Sequence, residues 1–132
     1  MKRLVPLALL SACSTIPDRP APVLGGDFQV ESVAGAAVPA GAAATLRFDG
    51  QRVSGQSGCN RFTAGVSHGP NTLTIGTPAT TRMACPDQAR IALERNMLAL
   101  LPAVTTWRLQ DGTLTLATPD SRTIVARRAE RP

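Results

Sequence analysis

Tyrosine is missing from this 132-residue chain, and one tryptophan and three phenylalanines are its only aromatic residues. Surfaces on which bases could stack are therefore scarce, and the core has to be built from Leu, Val, Ile and Ala. Lysine occurs once, at Lys2, which excludes Schiff-base and Ser-Lys chemistry from everything downstream. Histidine also occurs once. His68 lies in SHGPN, a turn composition, so it reads as an exposed loop residue and supports no histidine-based triad. There is no CxxC, no HxxxH and no acidic loop of calcium type, so neither a metal nor another cofactor is expected. Asp27, Glu31, Asp49, Glu94 and Asp111 fall at strand edges, turns and a helix face where solvated charges are normal. No catalytic residue is assigned, and the chain reads as a protein that is not an enzyme. An apolar run of the ~20 residues needed for a spanning helix is absent as well.

What is present begins with the N-terminus, MKRLVPLALLSAC. Two charges, an apolar run from Leu4 to Leu10 and small residues up to Cys13 have the layout of a secretory signal. Leu10, Ser11, Ala12 and Cys13 also resemble a bacterial lipobox, in which the cysteine is acylated and becomes the mature N-terminus. Residues 1–12 then read as the signal peptide and Cys13 as the lipid attachment site. Several acyl chains on one cysteine anchor stably, so the protein is expected on a membrane and not across it. Ser14, not Asp, follows the cysteine, which favours the outer membrane, facing the periplasm. The formal charge of +5 belongs partly to this segment: without Lys2 and Arg3, twelve basic side chains stand against nine acidic ones, a net of +3. The remaining arginines are scattered singly apart from the tail RRAER, so nucleic acid is not expected as a partner.

Residues 13–22 carry Pro17, Pro20 and Pro22 without periodicity and read as an extended tether after the lipidated cysteine. A single domain over residues 23–132 follows. Its pattern is mostly period two: Phe28 and Val30 oppose Gln29 and Glu31, and Leu46 and Phe48 alternate in ATLRF. Asp49-Gly50 reads as the centre of a type I′ hairpin turn, and NTLTIG as a short strand. Residues of about 86–101 change to a helical stripe of Leu93, Met97, Leu100 and Leu101, with Arg90 and Glu94 on another face. Pro86 suits the first helical position and Pro102 marks the end. TWRLQ, Asp111-Gly112 and TLTLAT form the clearest hairpin, and TIVARR returns as the closing strand. The sum is α+β, mainly an antiparallel sheet with one inserted helix.

Cys59 and Cys85 remain once Cys13 is assigned to lipid, and a pair in an oxidising compartment reads as a disulfide. Nothing beside Cys59 except Arg61 and Arg82 would lower a thiol pKa, so a reactive thiol is the weaker reading.

GQSGCNRFTAG, followed by TRMAC, an Arg/Glu-bearing helix and a final hairpin, resembles the META domain, the module of the heat-shock lipoprotein HslJ family. Gly55, Gly58, Cys59, Asn60, Gly65, Thr81, Met83, Cys85, Glu94 and Leu101 carry the resemblance, which extends over most of residues 24–128. Phe28 stands where the family usually has Trp, and Val66 where an aromatic is common. The resemblance implies a small, partly open β-barrel interrupted by a helix, in proteins associated with envelope stress and tolerance of antibiotics such as novobiocin. It brings no catalytic residue. A likeness to secretion pilot lipoproteins, whose cracked barrels hold an acyl chain or a partner peptide, leaves several roles open. One is docking of an envelope protein partner on a surface containing Asn60, Arg61 and Arg82. Another is carriage of a lipid in an apolar interior lined by Leu46, Phe48, Leu109 and Leu116. A third, weaker role is inhibition of a periplasmic enzyme.

Overall fold

Alternation of apolar and polar side chains dominates the domain, and the structure, a computed structural model that describes residues 23–129 together with Arg3, Leu4 and Pro6, realises it as ten strands. They are β1 (Gly26–Val33), β2 (Ala36–Ala37), β3 (Ala43–Asp49), β4 (Arg52–Gly58), β5 (Arg61–His68), β6 (Leu73–Ile75), β7 (Ala79–Thr80), β8 (Thr106–Gln110), β9 (Thr113–Ala117) and β10 (Thr123–Arg128). The helix α1 (Gln88–Leu100) lies between β7 and β8 and continues into a 3-10 turn, Leu101–Ala103. The signal and tether expected at residues 1–22, including Cys13, lie outside the described residues apart from Arg3, Leu4 and Pro6.

All neighbouring strands pair antiparallel, in the order β6-β5-β4-β3-β1-β10-β9-β8, with β2 added to β1 and β7 to β5. The two ends of this order approach each other. Thr72 bridges Thr106, the Leu73 N–H donates to the Thr105 carbonyl at 3.0 Å and the Trp107 N–H to the Asn71 carbonyl at 3.0 Å. Beyond these contacts β6 and β8 part, so the sheet is a nearly closed barrel with one unsealed seam.

Inward side chains from every long strand meet in one cluster containing Phe28, Leu46, Phe48, Val53, Phe62, Leu114, Leu116 and Ile124. Leu93, Met97, Leu100 and Leu101 join it from the helix, as their spacing requires. Asp87, not Pro86, starts the helix. Its carboxylate accepts the Ala89 N–H at 2.9 Å, which makes Asp87 the N-cap and leaves Pro86 outside the first turn. Pro102 falls within the 3-10 turn, two residues past the last residue of α1.

Both hairpins expected around Asp-Gly exist, with different turns. Gln110 pairs with Thr113, and Asp111 and Gly112 both have positive φ (51° and 78°), the requirement of type I′. At the other site Asp49 is itself paired with Arg52, so the loop is Gly50-Gln51 and Gly50 alone has positive φ. That is the type II′ pattern, not the type I′ turn centred on Asp49-Gly50. Ala34-Gly35 (φ 50° and 82°) makes a further tight turn from β1 into β2 that the sequence pattern does not announce.

Candidate functional site

The turn between β4 and β5 is crossed by the segment Thr81–Cys85, and the two are held together covalently and by hydrogen bonds. A disulfide joins Cys59 to Cys85, with Cα atoms 5.6 Å apart. Beside it Asn60 is buried (9% exposed), and both ends of its amide are used. Its Oδ1 accepts the Met83 N–H at 2.6 Å and the Thr81 hydroxyl at 3.0 Å, while its Nδ2 donates to Glu94 Oε2 at 3.1 Å. The amide orientation follows from chemistry: a backbone N–H needs the oxygen, and a carboxylate needs the nitrogen.

Glu94 receives a second donor, the Ser57 hydroxyl, at 2.9 Å. The Asn60 carbonyl lies 3.1 Å from the same hydroxyl, but one proton serves one strong bond, and the charged, nearer carboxylate takes it. The Ser57 N–H then satisfies the Asn60 carbonyl at 2.9 Å. Thr81 finishes the set by accepting the Arg61 N–H at 3.0 Å and donating its own N–H to the Arg61 carbonyl. Among the described residues no buried side-chain nitrogen or oxygen lacks a partner.

Glycine is required where this layer meets its neighbours. A Cβ on Gly55 would sit 1.9 Å from the Thr45 carbonyl oxygen, so β3 and β4 approach here only because no side chain intervenes. Gly58 faces Leu93 and the Arg90 carbonyl, which lets the helix settle onto the end of β4 and bring Glu94 to the turn.

The expected surface of Asn60, Arg61 and Arg82 thus divides. Arg61 and Arg82 are exposed, whereas Asn60 is turned inward as the junction of turn, crossing segment and helix. Met83, 67% exposed, projects beside them, and a groove of about 280 Å³ runs between Gln56, Cys59, Asn60, Arg61, Thr81 and Met83. Glu94 is no freely solvated helix-face charge but the acceptor of Ser57 and Asn60. A lone carboxylate directly after Leu93, at the margin of the buried stripe, was the available signal for that role.

His68 is not an exposed loop residue. It ends β5, its Nε2 accepts the Leu24 N–H at 3.1 Å, and its ring stands edge-on to Trp107 at 5.9 Å. Trp107 in turn donates its indole N–H to the Gly69 carbonyl at 3.0 Å. Of the four residues expected to line an apolar interior, Leu46, Phe48 and Leu116 are buried in the packed core. Leu109 is half-buried and borders a second groove, of about 510 Å³, outside the barrel at the seam.

Among the described residues no group of three or more His, Cys, Asp and Glu is placed to hold a metal, and no helix is long and apolar enough to cross a membrane. A nearly closed antiparallel barrel, carrying one helix and a disulfide-stapled turn, is the class of protein these features define. The META domain family profile matches residues 21–131, and the chain belongs to that family. The META domain marks a bacterial envelope-related protein of the HslJ type. Two solved structures share the fold. The NMR structure of a protein from Burkholderia xenovorans has a TM-score of 0.64 and 25% identity, covering 87% of this chain and 97% of that one. A second protein, also solved by NMR, has a TM-score of 0.63 and 29% identity, covering 77% of this chain and 87% of its own. No curated protein matches.

Proposed function

We propose that this is a non-enzymatic lipoprotein of the bacterial envelope, anchored through Cys13 at the outer membrane and facing the periplasm, that docks a protein partner in envelope stress or antibiotic tolerance of the novobiocin type. The observation that carries the docking role is the stapled surface. Arg61, Arg82 and Met83 are exposed, yet the backbone beneath them is fixed by the disulfide and by Asn60. A surface held rigid before contact loses little conformational freedom on binding, and Met and Arg are residue types enriched at protein interfaces.

The groups from which catalysis would have to be built are committed elsewhere. The His68 Nε2 lone pair is taken by Leu24, Glu94 is held by two donors, and Cys59 and Cys85 are bonded to each other. That supports binding over chemistry. Carriage of a lipid within the barrel has less support, because Leu46, Phe48 and Leu116 fill the interior they would have to open.

The test is a strain lacking the protein, complemented with the triple variant Arg61→Glu, Arg82→Glu, Met83→Glu. Loss of novobiocin survival, with wild-type protein level and thermal midpoint, is the expected result. Full survival of cells carrying the triple variant would refute the docking surface.

A further inference from the structure

Among the described residues Arg47, Arg90, Arg122 and Arg127 each hold an ion pair, whereas Arg61 and Arg82, on the stapled surface, hold none. Arg61 borders two grooves, of about 280 and 310 Å³, that share Arg61 and Thr81, and among the described residues it is the only charged residue lining either. A third groove on its other side contains Asp27, but Arg47 already stands 3.8 Å from that carboxylate. The surface thus presents positive charge that the domain does not neutralise.

An open backbone edge runs beside this charge. Phe62 pairs with Thr80 and Thr63 with Ala79, and the Thr81 N–H reaches the Arg61 carbonyl at 3.0 Å, so Ala79 and Thr81 turn their backbone groups toward β5. The Thr80 N–H and carbonyl point the other way, where no strand lies beside β7 among the described residues. Between this edge and Arg61 the groove is lined by Thr63, Ala79 and Thr81, whose short side chains leave the guanidinium accessible from the edge. A strand added there lies two ladder spacings, roughly 10 Å, from β5, a gap that a glutamate and an arginine side chain span together.

Resting on the docking reading above, we propose that the partner presents an extended acidic segment, which adds as a strand to the Thr80 edge and sets a carboxylate on Arg61. Backbone pairing supplies attachment in such a mode, and the side-chain contact supplies selectivity. A guanidinium matches a carboxylate in charge and in the geometry of its donors. A phosphate group would satisfy Arg61 as well, but its oxygens only accept, which leaves the Thr80 carbonyl unused. A peptide backbone brings both the acceptor and the donor that Thr80 requires.

The probe is the peptide acetyl-Ser-Val-Glu-Val-Ser-amide, with a twin carrying Gln for Glu, added to the isotope-labelled full chain in zwitterionic detergent micelles and followed by NMR. The acidic peptide should shift the Thr80 amide and the Arg61 Nε–H signals and bind about fivefold more tightly than its twin. Arg61→Gln should abolish that preference while leaving the affinity of the twin unchanged, and Thr80→Pro, which deletes the N–H, should weaken both. The Leu116 amide, internal to the sheet, reports that each variant is folded. Equal affinity of the native chain for the two peptides overturns the proposal, and so does the absence of any Thr80 shift at roughly millimolar peptide. Arg61 shifts in micelles containing phosphatidylglycerol, with none from the peptide, assign the surface to anionic lipid and overturn it too. If the peptide fails while the triple variant still loses novobiocin survival, only the acidic segment is refuted; if that variant also survives, the docking reading falls with it.

Discussion

Asn60→Ala removes three hydrogen bonds at once, and their environment sets the size of the loss. The bonds from Thr81 and Met83 are neutral and contribute about 1 kcal/mol each, while the bond to the ionised Glu94 contributes about 1.5–3 kcal/mol. Met83 is largely exposed, so water reaches its freed N–H and recovers part of that contribution. Glu94 keeps Ser57 as a donor but loses the second. The expected destabilisation is therefore ~3 kcal/mol, equivalent to roughly 12–24 °C in melting temperature for a domain of this size. The assay is urea and thermal unfolding followed by circular dichroism, with the disulfide intact. Arg61→Ala and Arg82→Ala serve as controls, expected within about 0.5 kcal/mol of the parent because both side chains are exposed and away from the network. A loss below about 1 kcal/mol for Asn60→Ala would refute the assignment of Asn60 as the junction of turn, crossing segment and helix.

Three other outcomes follow from the same structure. Gly55→Ala, which forces a methyl group onto the Thr45 carbonyl, should leave little folded protein, whereas Gly65→Ala, with nothing within 4 Å of the added carbon, should fold normally; urea midpoints of the two variants compare them. Reduction of Cys59–Cys85, which spans a sequence separation of 26, should lower stability by about 3.5 kcal/mol, measured as the shift in urea midpoint with and without reductant. The hydrogen bonds of Thr118 and Arg122 hold the Asp120 carboxyl below its ordinary value of 3.8. Its contribution is then fully present above that ordinary value and is lost as the pH falls through the lower folded value. The stability gap between the parent and Asp120→Asn should accordingly close as the pH falls from above 3.8 through the lowered folded value, and a gap that widens would contradict this sign.

Features decided by neighbours in the chain were legible in the sequence. Asp111-Gly112 between two alternating runs specifies its turn locally, and Leu93, Met97, Leu100 and Leu101 mark the helix face because 3.6-residue periodicity needs no distant partner. The disulfide joins the two cysteines left as a pair once Cys13 is read as the lipid site. Features decided by distant contacts were not legible. Nothing around Asn60 says that Glu94, on a helix more than thirty residues away, will turn it inward. Nothing in SHGPN tells that Leu24 will dock on His68. At Asp49-Gly50 the local rule allowed two registers, and pairing of Asp49 with Arg52 selected the one with Gly50 first in the loop.

The place of β10 has a consequence for how such a chain is made. Arg128 pairs with Phe28 across almost the whole domain, and β10 is the strand that joins β1 to β9. A chain interrupted before Thr123 would keep its turns, helix and disulfide yet present two unpaired strand edges in place of a joined sheet. Synthesis must pass Arg128 before the two halves can unite, and this long-range closure makes folding slow relative to formation of the hairpins. This strand thereby separates chains that contain it from chains that stop before it: the former present a nearly continuous sheet, and the latter an aggregation-prone edge on each side of the gap.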